Sequence, residues 1–514
     1  MSLKSDLLKL LDNSVRLCKD CSDSGALKEI LNEMKNRINE PLRIAVSGEI
    51  KAGKSTFMNV LMGEKLVYTG NSETTYTVCW FKYAPEPYIT IVFRSGETLD
   101  ADFDDLEKWS VRDCAGNNPR IDDVKYILIY YPNEILRQLE FIDTPGLNSN
   151  YGTDAKNTLD FLAVRGSEQT IEETSMADAV IYAFKRSAGG FDESLLSSFM
   201  GNAGNSSPIN SVGILTRIDD GGIWDIESGK TPVQAAEPVI SSVMKNESMK
   251  RVIFSAFPVC AKPVEGFADL TEADWSALAG MAELPQEELI DLLWDAAEFK
   301  HSPQMPGNED TRVHIIDSVD KYGIIEICNQ LALGASREEI KDILSEKCGI
   351  KKIREILLSH FGNRTFLIKS QFVFNSLRTA TREIRENTMS SPRLVAICEN
   401  IDCRIDELMS NVQTLNELRI LQYYYNGQLQ FVDEDEKEDF FHITGEYGRE
   451  PETRLGISEA ASIYEMVEIA KQKTFKWHEK AGSFLMPNTY VDAAETIARS
   501  YEYLLYHLTA LCEE

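Results

Sequence analysis

The sequence predicts an α/β domain, with a mostly parallel sheet and flanking helices, inserted into an extended all-α helical bundle (a neck or trunk) formed by the segments before and after it. Three observations predict this. Residues 3–38 repeat apolar side chains at helical spacing, residues 42 to about 262 alternate short apolar runs with helical stretches, and beyond about 265 helices follow one another. The 514 residues exceed what one core organises, and the boundaries fall at 1–40, 41–310 and 311–514.

In the first segment Leu27, Ile30, Leu31, Met34 and Ile38 form one helical face, with a break at Ser22-Asp23-Ser24-Gly25 and an end at Pro41. The apolar runs Arg43 to Ser47, Tyr88 to Phe93, Tyr126 to Tyr131, Leu139 to Ile142, Ala179 to Phe184, Val212 to Leu215 and Val252 to Val259 read as strands. Ser336-Arg337-Glu338-Glu339 is a capping box that opens a helix, which Gly349 closes; another runs from about 365 to 386. After the turn Ser390-Ser391-Pro392, a helix of roughly 30 residues carries Val395, Ile401, Ile405, Leu408, Val412, Leu415 and Leu418 on one face. The acidic stretch Asp433 to Asp439 reads as a solvated loop. A last helix, about 489 to 511, needs partners along its length, so the helices on both sides of the α/β domain are expected to pack together as an antiparallel bundle.

Composition is ordinary for a folded protein, but the formal charge of −29 is not. Such a surface repels phosphate backbones and anionic leaflets unless basic residues cluster, and no basic cluster is visible. A nucleic-acid partner is thereby disfavoured. No secretory leader opens the sequence and no apolar run reaches the roughly 18 residues of a spanning helix, which predicts a cytoplasmic location. Cys18 and Cys21 form a lone CxxC inside a helical pattern and read as reduced structural thiols.

The chemistry is concentrated after the first strand. Gly48-Glu49-Ile50-Lys51-Ala52-Gly53-Lys54-Ser55 is a complete phosphate loop between a strand and the helix-compatible Thr56 to Leu61. Its backbone N–H groups converge on a β-phosphate, Lys54 bridges β and γ oxygens, and Ser55 offers a hydroxyl to Mg²⁺. Downstream, Asp143-Thr144-Pro145-Gly146 ends an apolar strand: Asp143 can hold the Mg²⁺ through water, and Gly146 can present its N–H to a γ-phosphate. Thr216-Arg217-Ile218-Asp219 follows another strand. Its carboxylate can accept both N1–H and the 2-amino group of guanine, a donor pair that adenine lacks, while the Arg217 stem can lie along the purine. A supporting backbone contact to the base is expected from Val259-Cys260-Ala261-Lys262, with Ser255-Ala256 as the competing site. In this order the three motifs describe an α/β P-loop GTPase domain that binds GTP or GDP with Mg²⁺.

Gly48 to Leu61 resembles the GEFxAGKSTFxNxL run of bacterial dynamin-like proteins, and Asn71 to Val78 resembles their first switch. The resemblance puts Thr75 where those proteins bind Mg²⁺, with Thr74 as the alternative register because Glu73 replaces a usual proline. Phe361 to Lys369 and Arg499 to Glu502 are similar to segments of the family's helical part. It implies G domains that pair across the nucleotide, as a homodimer or with a paired dynamin-like partner, and a bundle that moves with nucleotide state about hinges near 39–41 and 310–323. It also implies work at membranes, peripheral to the inner membrane, although the inter-helix turns here are polar or acidic and the apolar tip of membrane-remodelling relatives is missing. Two departures concern catalysis. Ile50 stands where the family has a glutamine-like water positioner, and Lys51 where a serine helps hold a monovalent cation. Lys51 either supplies that charge itself or faces solvent or an acidic partner across a dimer. The rival readings are a GTP-dependent switch that recruits a partner with little turnover, and a helical adaptor with a vestigial site.

Overall fold

The computed structural model describes residues 3–48, 52–67, 78–110, 120–143, 177–185, 210–219, 222–246, 249, 253–302, 305–387, 389–411, 413–425, 428–448, 450–458, 460–483 and 486–513. Among the described residues nine strands form one sheet: β1 Leu42–Gly48, β2 Val78–Tyr83, β3 Tyr88–Phe93, β4 Thr98–Ala101, β5 Val124–Tyr131, β6 Leu139–Asp143, β7 Ala179–Phe184, β8 Ser211–Leu215 and β9 Ser255–Pro258. Their spatial order is β4-β3-β5-β2-β6-β1-β7-β8-β9. The block β6-β1-β7-β8-β9 is parallel throughout. Strand β2 runs antiparallel to β6 and parallel to β5, and β3 is antiparallel to both β5 and β4. In the parallel block β6, β7 and β8 are buried at every position, the signature of strands covered on both faces.

The expected α/β domain within helices is therefore present, with three differences in the sheet. The strand read as Val252 to Val259 spans only Ser255–Pro258. Strand β2 belongs to the sheet although none of the apolar runs read as strands covers it; only its first residue, Val78, falls in the segment that resembles the first switch. The edge strand β4, Thr-Leu-Asp-Ala, has exposed side chains at three of its four positions and so leaves no apolar alternation to read.

The helices Leu3–Cys18 and Gly25–Asn39 pack against each other and against Pro392–Asn411 and Asn363–Glu386, respectively, closing a bundle from segments on both sides of the sheet domain. The last helix, Asn488–Glu513, takes Ile463–Ala481 and Gln413–Tyr425 as its main partners. The long helix expected after Pro392 is described as Pro392–Asn411 and Gln413–Tyr425, with residue 412 outside the described set. Asp433 to Asp439 is not a solvated loop. Asp433 caps the helix Glu434–Ile443 by accepting from the Glu436 N–H at 2.8 Å, and acidic residues suit a first helical turn. Glu436 and Asp439 are buried, the first held by Lys480 and the Tyr490 hydroxyl, the second by Lys473 and Lys476 at 2.7 Å each and by the Trp477 indole.

One buried ionic network joins the bundle to the sheet. Asp178, just before β7, is wholly buried; the Arg37 guanidinium donates to its Oδ1 at 3.0–3.1 Å and the Arg43 N–H to its Oδ2 at 2.9 Å. Lys369, on Asn363–Glu386, donates to the carbonyls of Arg37 (2.8 Å) and Glu40. Burial acts against the Asp178 charge, but Arg37, Lys369 and Arg43 outweigh it and hold the carboxyl below its usual range.

Candidate nucleotide site

The site sits at the carboxyl ends of β1, β6, β8 and β9, where parallel strands leave a crevice for ligands. Strand β1 ends at Gly48, where φ is 142° and a Cβ would lie 2.0 Å from the carbonyl oxygen of Ala183 on β7. Only glycine allows that approach. After Ala52, which is buried, Gly53 (φ 72°) starts the helix Lys54–Met62. Lys54 is buried and its ammonium donates to the Gly48 carbonyl at 3.2 Å, so the charge lies over the loop rather than in solvent. Ser55 and Thr56 follow, each half-buried.

Asp143 ends β6, in register with Val46 of β1 and Cys79 of β2. It is 1% exposed, and among the described residues neither carboxylate oxygen has a hydrogen-bond donor. Burial pushes its pKa up to about 7, only partly offset by the Lys54 charge and the nearby Ser55 hydroxyl. A desolvated carboxylate with unfilled lone pairs costs free energy, and a hard cation bound through oxygen would remove that cost. The residues present thus fit Mg²⁺, with Ser55 and Asp143 as its protein donors.

Across the loop, the Thr216 hydroxyl donates to the Ala52 carbonyl at 2.6 Å and also reaches the Phe184 carbonyl at 3.2 Å. This ties the end of β8 to the phosphate loop. Arg217 is exposed and has φ 52°, a left-handed conformation that costs a non-glycine residue about 1–2 kcal/mol. Burial raises the Asp219 pKa, and the Asp320 carboxylate raises it further against the opposing Cys260 thiol and Lys262 charge. Cys260 donates its N–H to the Cys348 carbonyl at 3.0 Å, and Ala261 precedes the short helix Lys262–Gly266. Ser255 and Ala256 pair with Val212 and Gly213 at the start of β8, so Cys260 and Ala261 share the sheet end of Asp219 and the competing pair does not.

Glu49, Ile50, Lys51, Thr74, Thr75 and Gly146 lie outside the described residues. The described site includes side chains that sequence reasoning missed. Lys262 pairs with Asp320 at 2.8 Å, Arg354 donates to the Val60 and Leu61 carbonyls at the end of the phosphate-loop helix, and Glu265 reaches Asn59 on that helix. Of these only Asn59 carried a signal, its place in the run after the loop.

Residues 44–188 match the model of the Dynamin family. Over 490 residues, 93% of both chains, the sequence is 24% identical to the isoniazid-induced protein IniC of Mycobacterium tuberculosis. It is 32% identical to a bacterial dynamin-like protein of Nostoc punctiforme over 162 residues, 29% of this chain and 23% of that one. It is 27% identical to dynamin-like protein 2 of Campylobacter jejuni over 151 residues, 28% of this chain and 24% of that one. A solved oligomerised bacterial dynamin pair aligns with 98% of this chain and 91% of its own at 11% identity, with a TM-score of 0.33, too loose to bear on kinship. The phosphate loop, set in a parallel sheet within flanking helices, and these matches converge: residues 44–188 are similar to the Dynamin family, and the chain is similar to bacterial dynamin-like proteins.

Proposed function

We propose that the chain hydrolyses GTP to GDP and phosphate, that its G domains pair across the nucleotide, and that the helical bundle follows the nucleotide state. Members of the family are GTPases, and the observation that carries the reading to this chain is the buried, unsatisfied Asp143 carboxylate beside Lys54 and Ser55. In this reading Gly48 to Thr56 cradle the phosphates, with Lys54 on the β and γ oxygens and the Gly146 N–H on the γ-phosphate. Ser55, Thr75 and Asp143 hold Mg²⁺, which when bound neutralises charge on the phosphate oxygens. Asp219 reads guanine, the Arg217 stem lies along the purine, Cys260 and Ala261 give the supporting contact, and Thr216 braces the loop.

The oxygen of a water bonds to the γ-phosphorus as the bond from that phosphorus to the β–γ bridging oxygen breaks. GDP leaves with the bridging oxygen, and the water's proton passes to phosphate. With Ile50 in the water positioner's place, backbone groups near the first switch orient the water. Lys51 sets its ammonium beside the breaking bond, where negative charge grows; turnover indifferent to replacing potassium with a large organic cation supports this role, and a potassium requirement removes it.

We read the chain as 1–40 N-terminal helices, 41–310 G domain and 311–514 bundle. The hinges are near 39–41, beside the Arg37–Asp178–Lys369 network, and near 310–323, where Asp320 leaves helical geometry with φ 55° and ψ 178°. The partner is a second copy or a paired dynamin-like protein. Among the described residues no helix is long and apolar enough to cross a membrane. The proposed location is cytoplasmic with peripheral contact at the inner membrane, which liposome co-sedimentation with GTP, GDP and no nucleotide tests.

The deciding experiment is steady-state GTP turnover against protein concentration, with Lys54→Ala as control. Dimer-activated hydrolysis rises more than linearly. Lys54→Ala loses tight binding in calorimetry, each lost charge-assisted bond costing about 1.5–3 kcal/mol. A wild-type protein that binds GTP without turnover overturns the hydrolysis reading, and unchanged affinity in Lys54→Ala overturns the site.

A further inference from the structure

The helix that carries Ser55 and Thr56 also carries Asn59, which is 1% exposed and uses every hydrogen-bonding position of its amide. Its Oδ1 accepts from the backbone N–H of Leu66 at 2.9 Å and of Val67 at 2.7 Å. Its Nδ2 donates to the Val67 carbonyl at 2.8 Å and to Glu265 Oε1 at 2.6 Å. The clamp thus grips the backbone immediately ahead of the segment that contains Thr75.

Glu265 lies on Lys262–Gly266, the short helix that continues from Cys260 and Ala261. Besides Asn59, the Thr56 hydroxyl lies near its carboxylate, and the charges facing it are Lys65 and Asp269, themselves ion-paired. Burial raises its pKa above the ordinary glutamate value despite these donors. The helix has no freedom to drift: at Gly266 a Cβ would meet the Ser318 carbonyl oxygen at 2.0 Å, and the Gly323 position faces Pro263. Glu265 is therefore an acceptor for the clamp ahead of the first switch, with Thr56, the residue after Ser55, beside it.

We propose that Glu265, acting through Asn59, is a positioning residue for GTP hydrolysis: it holds the backbone of Leu66 and Val67, ahead of the first switch, and links it to the helix that follows Cys260 and Ala261. This rests on the GTPase reading of the site. It separates two nucleotides. GDP lacks the γ-phosphate that the first switch meets, so its affinity is independent of the clamp, whereas turnover depends on it.

The test joins amide hydrogen exchange, which needs no turnover, with kinetics. In Glu265→Ala the Leu66 and Val67 amides exchange faster by roughly tenfold or more, GDP affinity stays within about twofold, and kcat falls by roughly tenfold, the scale of one lost hydrogen bond to a charged group. Asn59→Asp places two carboxylates together and loses similarly. Glu265→Gln keeps a side-chain oxygen that accepts from Asn59 Nδ2, and it retains slow exchange and turnover, an outcome that mere loss of folding does not give. Unchanged exchange at Leu66 and Val67 in Glu265→Ala, an equal loss of GDP binding and turnover, or losses in Glu265→Gln as large as those in Glu265→Ala overturns the proposal. A wild type without turnover sinks the GTPase reading and Glu265's catalytic role with it, while the exchange arm still decides the clamp.

Discussion

Lys262 and Asp320 stand 2.8 Å apart, and their ion pair ties the helix that follows Cys260 and Ala261 to the point where helix Glu309–Ala332 departs from helical geometry. Both side chains are partly exposed, so the pair itself contributes at most about 1 kcal/mol. Its importance lies in placement, since the Asp320 charge also raises the Asp219 pKa, after burial.

Under the proposed function guanine recognition needs Asp219 ionised, so acidification is expected to weaken GDP binding at a higher pH than for an ordinary aspartate. Asp320→Asn removes the neighbouring charge and keeps a residue that tolerates left-handed backbone. It is expected to move the acid limb of GDP affinity to lower pH. Affinity titrations from pH 4 to 8 check this; coincident curves for the two proteins would count against the coupling.

Asp219→Asn is expected to weaken GTP and improve xanthosine triphosphate, because xanthine presents an acceptor where guanine has its amino donor. Competition binding with GTP, xanthosine triphosphate and ATP measures it. ATP binding as tight as GTP in the wild type would show that another feature reads the base.

Lys369 gives a stability prediction whose sign follows from its surroundings. Burial pushes its pKa down to about 8; Asp178 opposes, and Arg43 and Arg37 reinforce the drop. Between about pH 8 and the ordinary lysine value the unfolded chain holds a proton that the folded protein has released, so this group's contribution to stability rises with pH there. Relative to Lys369→Met, the wild type should gain up to about 1.4 kcal/mol per pH unit across that window. Chemical denaturation at pH 7, 8, 9 and 10 tests it, and a gap that narrows with pH would contradict the assigned environment.

What the sequence made legible was local. The phosphate loop could be read because its glycines, lysine and serine are contiguous and framed by a strand and a helix, and β6, β7 and β8 because buried strands are continuous apolar runs. What it hid depends on partners far along the chain. Glu436 and Asp439 look solvated until Lys480, Tyr490, Lys473 and Lys476 fold over them. Asp320 carries no local mark of a kink; what accompanies it in the fold is its pairing with Lys262 and the close approach of Gly266 to Ser318, both far along the chain. Glu265 reads as one more surface acid until Asn59 and Thr56 meet it.

The helices Leu3–Cys18 and Gly25–Asn39 take as partners Pro392–Asn411 and Asn363–Glu386. On the ribosome that is a delay. Roughly 350 residues separate the two halves, and at about 5–20 residues per second the early pair waits on the order of tens of seconds for its complement. Throughout that interval the pair that carries Leu7, Leu11, Leu27, Leu31 and Met34, all buried in the finished fold, lacks the cover of those later helices. The sheet domain, whose strands lie between Leu42 and Pro258, is complete long before the bundle closes. The nascent chain therefore carries a sticky amphipathic hairpin ahead of a folded domain, a form suited to capture by a chaperone.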